Sequence, residues 1–411
     1  MDRISHPTRR TFLRDAGRIG AVSALAGVKL PHVHAAENST IQLALIGCGA
    51  RGTGAAANAL NVRRGPVKLV AMADVFSDRL ESSLNSLQRG VNRSYDRVAS
   101  AGFGDRIDVP PERRFVGFDG YRQALDCLRP GDIAIFTTPL AFRWVHFGYA
   151  IEKGVHVFME KPLAADGPTA RRLLQQAELA TAKNLKVGVG LMSRHSRALQ
   201  QLHQRIADGE IGDIILMQAY RLIGPLVTAF SERWPGEPSE LLWQIRRFHS
   251  FIWASGGCFN DFYIHNLDNC CWMKNAWPVK AQAVGGRHYH TSPQGQPYVD
   301  QNFDTYTVEY TFADDAKLIL NGRCIPGCYQ NHGSLARGTK GAAVVARGDC
   351  FGPTATFKGL TPMTKANQLW TADVPPDQAS PYENEWNDLL DAIRDDKPYN
   401  EVKYGVEASV V

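Results

Sequence analysis

The sequence predicts two unlike halves: an α/β unit on a parallel, doubly wound sheet, then an α+β unit on a largely antiparallel open sheet. Three observations carry this reading. From Ile41 to Gly190 short aliphatic runs alternate with segments of helical length and period, the pattern of parallel βαβ units. A glycine-rich stretch, Gly47-Cys48-Gly49-Ala50-Arg51-Gly52, stands between the first run and the first helix. After Gly190 the runs alternate apolar and polar residues, as in a sheet with one covered and one wetter face, and lack regular helices between them.

In chain order, Ile41–Ile46 is a β-branched and aliphatic strand, and small residues from Ala50 to about Val62 form the helix behind it. Val67–Ala73 is the second strand, closed by Asp74 and followed by a helical stretch. The polar, Gly- and Pro-punctuated residues 91–114 read as a loop insertion. Asp132–Thr137, Val155–Met159 and Leu185–Gly190 are further buried strands, separated by helices at about 141–153 and 166–183. In the second unit Ile214–Tyr220, Val279–Gly285, Thr305–Phe312, Lys317–Asn321 and Ala342–Ala346 read as strands. Glu383–Arg394 is an amphipathic helix, and the closing GVEASVV carries no capping signal, so the chain is expected to stop inside a helix. The domain boundaries that follow are 40–190, 191–380 and a C-terminal helical segment at 381–411.

Of 411 residues, 44% are hydrophobic and 21% charged, the balance of a globular chain with room for two domains. The net charge of +5 is concentrated at one end: residues 1–36 hold six basic and two acidic side chains, hence +4, leaving about +1 for the rest. A near-neutral body gives no electrostatic basis for nucleic acid or an anionic membrane as partner. Thr8-Arg9-Arg10-Thr11-Phe12-Leu13-Arg14 is a twin-arginine pattern, Ile19–Val28 is uncharged, and Val33-His34-Ala35 offers small residues for cleavage. Such an uncharged segment rises about 15 Å as a helix, half a hydrocarbon core, which excludes a membrane span. A twin-arginine export signal over residues 1–36 fits better than a disordered basic tail, so a periplasmic or otherwise exported protein is expected, with the export machinery as a partner. The eight cysteines include no pair of CxxC motifs, which argues against zinc; Cys324 and Cys328 are the pair to watch for oxidation.

Gly47, Gly49 and Gly52 follow a strand and open a helix, and Asp74 closes the second strand 27 residues after Gly47. In that setting the glycines allow a tight turn and close approach of a pyrophosphate to the helix N-terminus, where backbone N–H groups around Ala50 and Arg51 favour negative charge. Asp74 would accept hydrogen bonds from adenosine ribose hydroxyls and repel a 2′-phosphate, favouring NAD over NADP, a preference that nearby Arg79 moderates.

Val157-Phe158-Met159-Glu160-Lys161-Pro162-Leu163 ends a late strand with a carboxylate, an ammonium and a proline. One reading is a salt-bridged turn. The other is a site, because ligands of open α/β sheets bind at the C-terminal strand ends, where Lys161 beside a nicotinamide can act on a substrate hydroxyl. Further on, Asp261, His265 and Asp268 share one helical face, and either carboxylate is a candidate to orient His265 for proton transfer. Taken singly, Asp261 reads equally as a helix cap and His265 as a satisfied core histidine. No further ligand spacing supports a metal. Arg194 and His195, at the rim of the same cleft, and Arg246, beside Arg247, Trp243 and Trp253, are the candidates for holding a polyhydroxylated ring.

With the glycine motif, Asp74, Glu160-Lys161-Pro162 and the GGxxxDxxxH stretch in that order, the chain resembles the Gfo/Idh/MocA oxidoreductases, the glucose–fructose oxidoreductase and inositol dehydrogenase family, over about residues 40–411. The resemblance implies a Rossmann domain holding NAD or NADP, with Thr138, Pro139, Glu160 and Lys161 among the cofactor-binding residues. It implies oxidation or reduction of a sugar-like hydroxyl, with Lys161, His265 and Asp261 at the reacting carbon. A homo-oligomer joined through the second sheet is also implied.

Two positions depart from the family pattern: Arg143 stands four residues after Pro139, where many relatives carry His, and Cys258 replaces the usual third glycine. Some exported relatives are glycosidases that oxidise a sugar transiently and reduce it back. An NAD-assisted glycosidase or lyase is therefore the runner-up, since an exported dehydrogenase would exhaust its cofactor. A non-catalytic dinucleotide-binding exported protein is the third reading, and the joint presence of Lys161, Asp261 and His265 argues against it.

Overall fold

A computed structural model describes residues 39–90, 102–225 and 227–411; the twin-arginine segment and residues 91–101 of the expected loop insertion lie outside the described residues. The first sheet is parallel throughout and six-stranded, ordered β3-β2-β1-β4-β5-β6. Its strands are β1 (Ile41–Ile46), β2 (Val67–Asp74), β3 (Arg114–Val116), β4 (Ile133–Phe136), β5 (His156–Met159) and β6 (Val187–Val189). Helices α1 (Ala50–Leu60), α2 (Ser77–Arg89), α3 (Gly120–Asp126), α4 (Arg143–Lys153) and α5 (Gly167–Ala182) connect them. β3 begins at the last residue of the expected loop insertion and was not expected as a strand; three residues at a sheet edge are too few to show alternation.

Both faces of this sheet are covered, which is why its strands are almost continuously aliphatic. Along β1, Ala44 and Ile46 enter one core with Phe147 of α4, while Leu43 and Leu45 enter the other with Ala55 and Ala56 of α1. The small residues of α1, buried from Gly52 to Leu60, let it lie close to the strands. Strand order reverses between β1 and β4, so a crevice opens at their C-terminal ends.

The second sheet is eight-stranded, ordered β14-β13-β12-β11-β7-β10-β9-β8. It comprises β7 (Ile214–Ile223), β8 (Lys280–Gly286), β9 (Thr305–Thr311), β10 (Lys317–Cys324), β11 (Asn331–Gly338), β12 (Gly341–Arg347), β13 (Ala355–Lys358) and β14 (Gln368–Thr371). Every neighbouring pair is antiparallel except β7 with β10. Contrary to the sequence reading, helices do stand among these strands. α6 (Arg197–Ala207) leads into β7, and α7 (Glu240–Arg246), α8 (Ile252–Ser255) and α9 (Gly257–Lys274) separate β7 from β8.

α9 is buried nearly all round because it is a shared wall. Tyr263, Leu267 and Cys270 pack on the second sheet with Met217, Leu318 and Leu320, while Ile264 joins a core of the first domain. The C-terminal helices α10 (Pro381–Arg394) and α11 (Val402–Val410) also return to the first domain. Trp386 is fully buried with its ring 4.4 Å from that of Phe158 on β5, and Val402 and Val406 pack with Val187 and Val189 of β6. Burying one such large side chain contributes about 3 kcal/mol. Among the described residues no helix is long and apolar enough to cross a membrane.

Candidate active site

The crevice begins at the glycine loop between β1 and α1. Gly47 has φ +95°, and a Cβ there would come within 2.8 Å of the Thr137–Thr138 backbone at the end of β4. A Cβ on Gly52 would strike the Gly47 carbonyl. Those two glycines are thus required by the fold. Gly49 is different: a Cβ there would meet only Arg79 Nη1, at 3.8 Å, and Gly49 caps α1 with no side-chain hydrogen bond. Space and uncapped N–H groups coincide at one helix N-terminus, which fits a pyrophosphate. Asp74 accepts from Cys48 N (2.6 Å) and Phe76 N (2.9 Å), and burial raises its pKa from the ordinary carboxylate value. It stands at the end of β2, where a ribose would lie.

The wall at β4 is built by Arg143. Its guanidinium is buried and donates to the carbonyls of Thr138 and Pro162, tying the loop after β4 to the loop after β5. Burial lowers its pKa to about 10. The residue that departs from the family pattern is a clamp between two loops. The same loop is held by Ser409 Oγ, which accepts from Leu163 N at 2.9 Å, and by Asn260 Nδ2, which donates to Ala164 O at 2.9 Å.

These restraints present Lys161 to α9. Its Nζ donates to the Asp261 carbonyl at 2.6 Å and lies 3.3 Å from Asp261 Oδ1. His265, one helical turn on, is buried, and its Nδ1 has no hydrogen-bond partner among the described residues. Burial first, then the charges of Lys161 and Arg221 and the neighbouring His332, hold its pKa well below the ordinary value, so the imidazole is neutral. A positioned ammonium, a carboxylate and a neutral imidazole on a cleft wall form a set able to hold and move a proton at a hydroxyl.

The remaining sequence candidates go elsewhere. Glu160 is buried and accepts from Arg51 Nε at 2.6 Å; Arg51 in turn lies over the Tyr382 ring, 4.9 Å from its centroid. This pair braces the start of α1 against the end of β5. Arg194 does not line the rim: it makes a bidentate ion pair with buried Asp268, at 2.7 to 3.1 Å, under Tyr404. That engagement also removes Asp268 as an orienting partner for His265. His195 is buried between Asp388, 2.7 Å from its Nδ1, and Glu401, 3.1 Å from its Nε2. Despite burial, those carboxylates raise its pKa to about 10. Arg246 pairs with Asp78 at 2.8 and 2.9 Å and lies over Phe76, which puts it beside the Asp74 end of the crevice and away from Lys161. Cys324 and Cys328 are not partners: Cys328 is exposed, while buried Cys324 meets the Cys258 thiol and the Tyr263 hydroxyl.

Sequence reasoning missed His249. It is buried, its Nδ1 lies 2.7 Å from Thr228 Oγ1, and its Nε2 lies 3.4 Å from Asp261 Oδ2. It precedes Asp261 through a turn and a short helix, so no helical spacing relates the two. Arg221 was missed as well, although a signal existed: it continues the inward face of Met217 and Ala219, where a charge is out of pattern.

No family model matches the chain. Inositol 2-dehydrogenase 3 of Saccharopolyspora erythraea is 27% identical over 176 residues, 43% of this chain and 44% of that relative. The 2,7-anhydro-N-acetylneuraminate hydratase of Mediterraneibacter gnavus is 26% identical over 208 residues, 49% of this chain and 48% of the relative. The matched stretch thus spans about half the length of these curated relatives. Among solved structures, levoglucosan dehydrogenase in complex with NADH and levoglucosan has a TM-score of 0.64 at 15% identity, covering 90% of this chain and 95% of that one. The likeness to such structures shows the fold, a parallel Rossmann-like sheet joined to a mixed, mostly antiparallel one, and the curated relatives are in keeping with the resemblance read from the motifs.

Proposed function

We propose that this chain is a nicotinamide-dependent oxidoreductase acting on a hydroxyl carbon of a sugar, cyclitol or glycoside. The observation that carries this reading is the meeting of Lys161, Asp261 and His265 beside the strand-order reversal, with the space at Gly49 leading into the same crevice. Gly47, Gly49, Gly52 and the first turn of α1 would hold the pyrophosphate, Asp74 the adenosine ribose, and Thr138–Pro139 the wall beside the ring. When bound, the nicotinamide supplies the hydride acceptor or donor. Lys161 holds the substrate hydroxyl and exchanges its proton, Asp261 fixes the ammonium, and neutral His265 is the second proton-bearing group. Relatives and neighbours named as inositol and levoglucosan dehydrogenases support the substrate class.

The hydratase among the relatives favours one second reading, a redox-neutral reaction in which the cofactor is recycled. An NAD-assisted glycosidase or lyase is of this kind, and it suits a protein exported with its cofactor. A panel of sugars, cyclitols and glycosides, read by nicotinamide absorbance and product mass, separates the two. Reduced cofactor with an oxidised product supports the dehydrogenase. A changed product without net reduction supports the second reading, and an unchanged panel refutes both.

Cofactor choice is assigned to Asp74, with NAD preferred. Asp74→Ser is expected to narrow the NAD/NADP gap by about 1–3 kcal/mol, the scale of a charge-assisted hydrogen bond. Equal dissociation constants for both cofactors in the unmutated protein would refute the assignment. The export reading rests on Arg9 and Arg10. Replacing both by Lys is expected to leave the precursor in the cytoplasm with folding intact, and normal periplasmic delivery in a fractionation experiment ends that reading. The exposed edge strand β8 of the second sheet is consistent with a homo-oligomer.

A further inference from the structure

Near His265 stands a cation, Arg221, that no carboxylate pairs with among the described residues. Arg221 stands on β7 two residues beyond Ala219, so both project from the same face of the sheet toward α9. Its cross-strand neighbours are Gly322 on β10 and His332 on β11. Tyr263 of α9 lies so close over Gly322 that a Cβ there would collide with its ring, which leaves Arg221 bounded by Tyr263 on one side and His332 on the other.

Arg221 Nη1 is 2.7 Å from His332 Nε2. A guanidinium only donates, so the ring nitrogen accepts and His332 is neutral. Burial, reinforced by Arg221, lowers the His332 pKa to about 3. Among the described residues no carboxylate pairs with Arg221. Its Nε and the Nδ1 of His265 are both buried without a hydrogen-bond partner among the described residues. A buried polar group left unpaired costs about 1–3 kcal/mol, so two of them near one another mark a place completed by something else. Lys161, the other cation whose charge bears on His265, already has Asp261. Arg143, in the wall at β4, also lacks a carboxylate but donates to two carbonyls, whereas Arg221 keeps a buried Nε with no partner among the described residues.

We infer that the substrate is an anionic sugar or cyclitol, whose carboxylate lies at Arg221 while its reacting hydroxyl lies at Lys161 and His265. This rests on the oxidoreductase reading above and narrows it. A carboxylate brings one negative charge to one guanidinium that no carboxylate pairs with among the described residues; a sugar phosphate brings nearly two.

The test uses the full chain loaded with NAD and two matched sets: glucose, glucuronate and glucose 6-phosphate, and galactose, galacturonate and galactose 6-phosphate. Affinity is read by calorimetry and turnover by nicotinamide absorbance. The uronates are expected to bind about 10- to 100-fold tighter than the neutral sugars, the scale of a charge-assisted hydrogen bond. In Arg221→Gln that ratio should fall to near one, and Arg221→Lys should restore part of it. Neutral sugars bound as well as or better than their acids overturn the inference, as does a uronate preference that survives Arg221→Gln. Preference for the phosphates overturns the choice of carboxylate. If Arg221→Gln does not fold, the ratio in the unmutated protein decides alone. Turnover of neutral sugars with rejection of acids, or no binding in either set, sinks this inference only; the oxidoreductase reading falls with an unchanged wider panel of sugars, cyclitols and glycosides.

Discussion

Lys161→Met is expected to slow the hydride-transfer step by about 10²–10⁴-fold, the usual worth of positioned acid–base catalysis. Methionine keeps most of the side-chain length and removes only the ammonium. What the fold loses is limited: the Asp261 carbonyl and Oδ1 each lose one donor, while Asp261 Oδ2 keeps its neighbour His249. The stability cost is therefore about 1–3 kcal/mol at most, and the cofactor end of the crevice, built from Gly47, Gly49, Gly52 and Asp74, is untouched. A salt-bridged structural turn predicts the reverse, a lower melting temperature with near-normal turnover. Single-turnover hydride transfer measured beside melting temperature and NAD affinity separates them, and unchanged hydride transfer ends the catalytic reading. His265→Ala is expected to give a similar or smaller loss. The double variant should lose less than the product of the two, because residues that serve one proton transfer are not additive.

That Lys161, Asp261 and His265 meet was legible because each lies at a position whose backbone geometry the sequence dictates. Lys161 ends a strand in a parallel sheet, and Asp261 and His265 are one turn apart on a helix opened by two glycines. Side-chain direction was not legible. Arg194 and His195 do follow the last strand of the first sheet, yet their partners lie far away in sequence: Asp268 is 74 residues from Arg194, and Asp388 is 193 residues from His195. No local pattern encodes such pairs. In the second domain β11, with its Asn-His-Gly-Ser start, lacks the residues that mark a strand, and it is held by ladders to β7 and β12 on either side. The parallel pairing of β7 with β10 was equally hidden, since alternation reveals which face is buried and says nothing of strand direction.

The Arg194–Asp268 pair is where that long-range information should matter most to stability. Asp268→Ala is expected to cost about 3–5 kcal/mol, the cost of leaving one member of a buried ion pair alone, out of a total near 5–15 kcal/mol for a domain. Arg194 would lose three charge-assisted contacts at 2.7 to 3.1 Å and keep only its place over the rings of Tyr404 and Trp272. Asp268 sits on α9 one turn beyond His265, so the lost anchor also loosens the helix that carries both Asp261 and His265. Replacing both partners by apolar residues, Arg194→Met with Asp268→Leu, should recover most of the loss, because the desolvation of both charges disappears together. A rim role for Arg194 in substrate binding predicts something else: Arg194→Met would raise KM with little change in stability. Urea midpoints for the two single variants and the double variant, with KM on whatever substrate the panel yields, decide between them. A loss under about 1 kcal/mol for Asp268→Ala would mean that the pair behaves as a surface bridge and that α9 is held by its apolar faces alone.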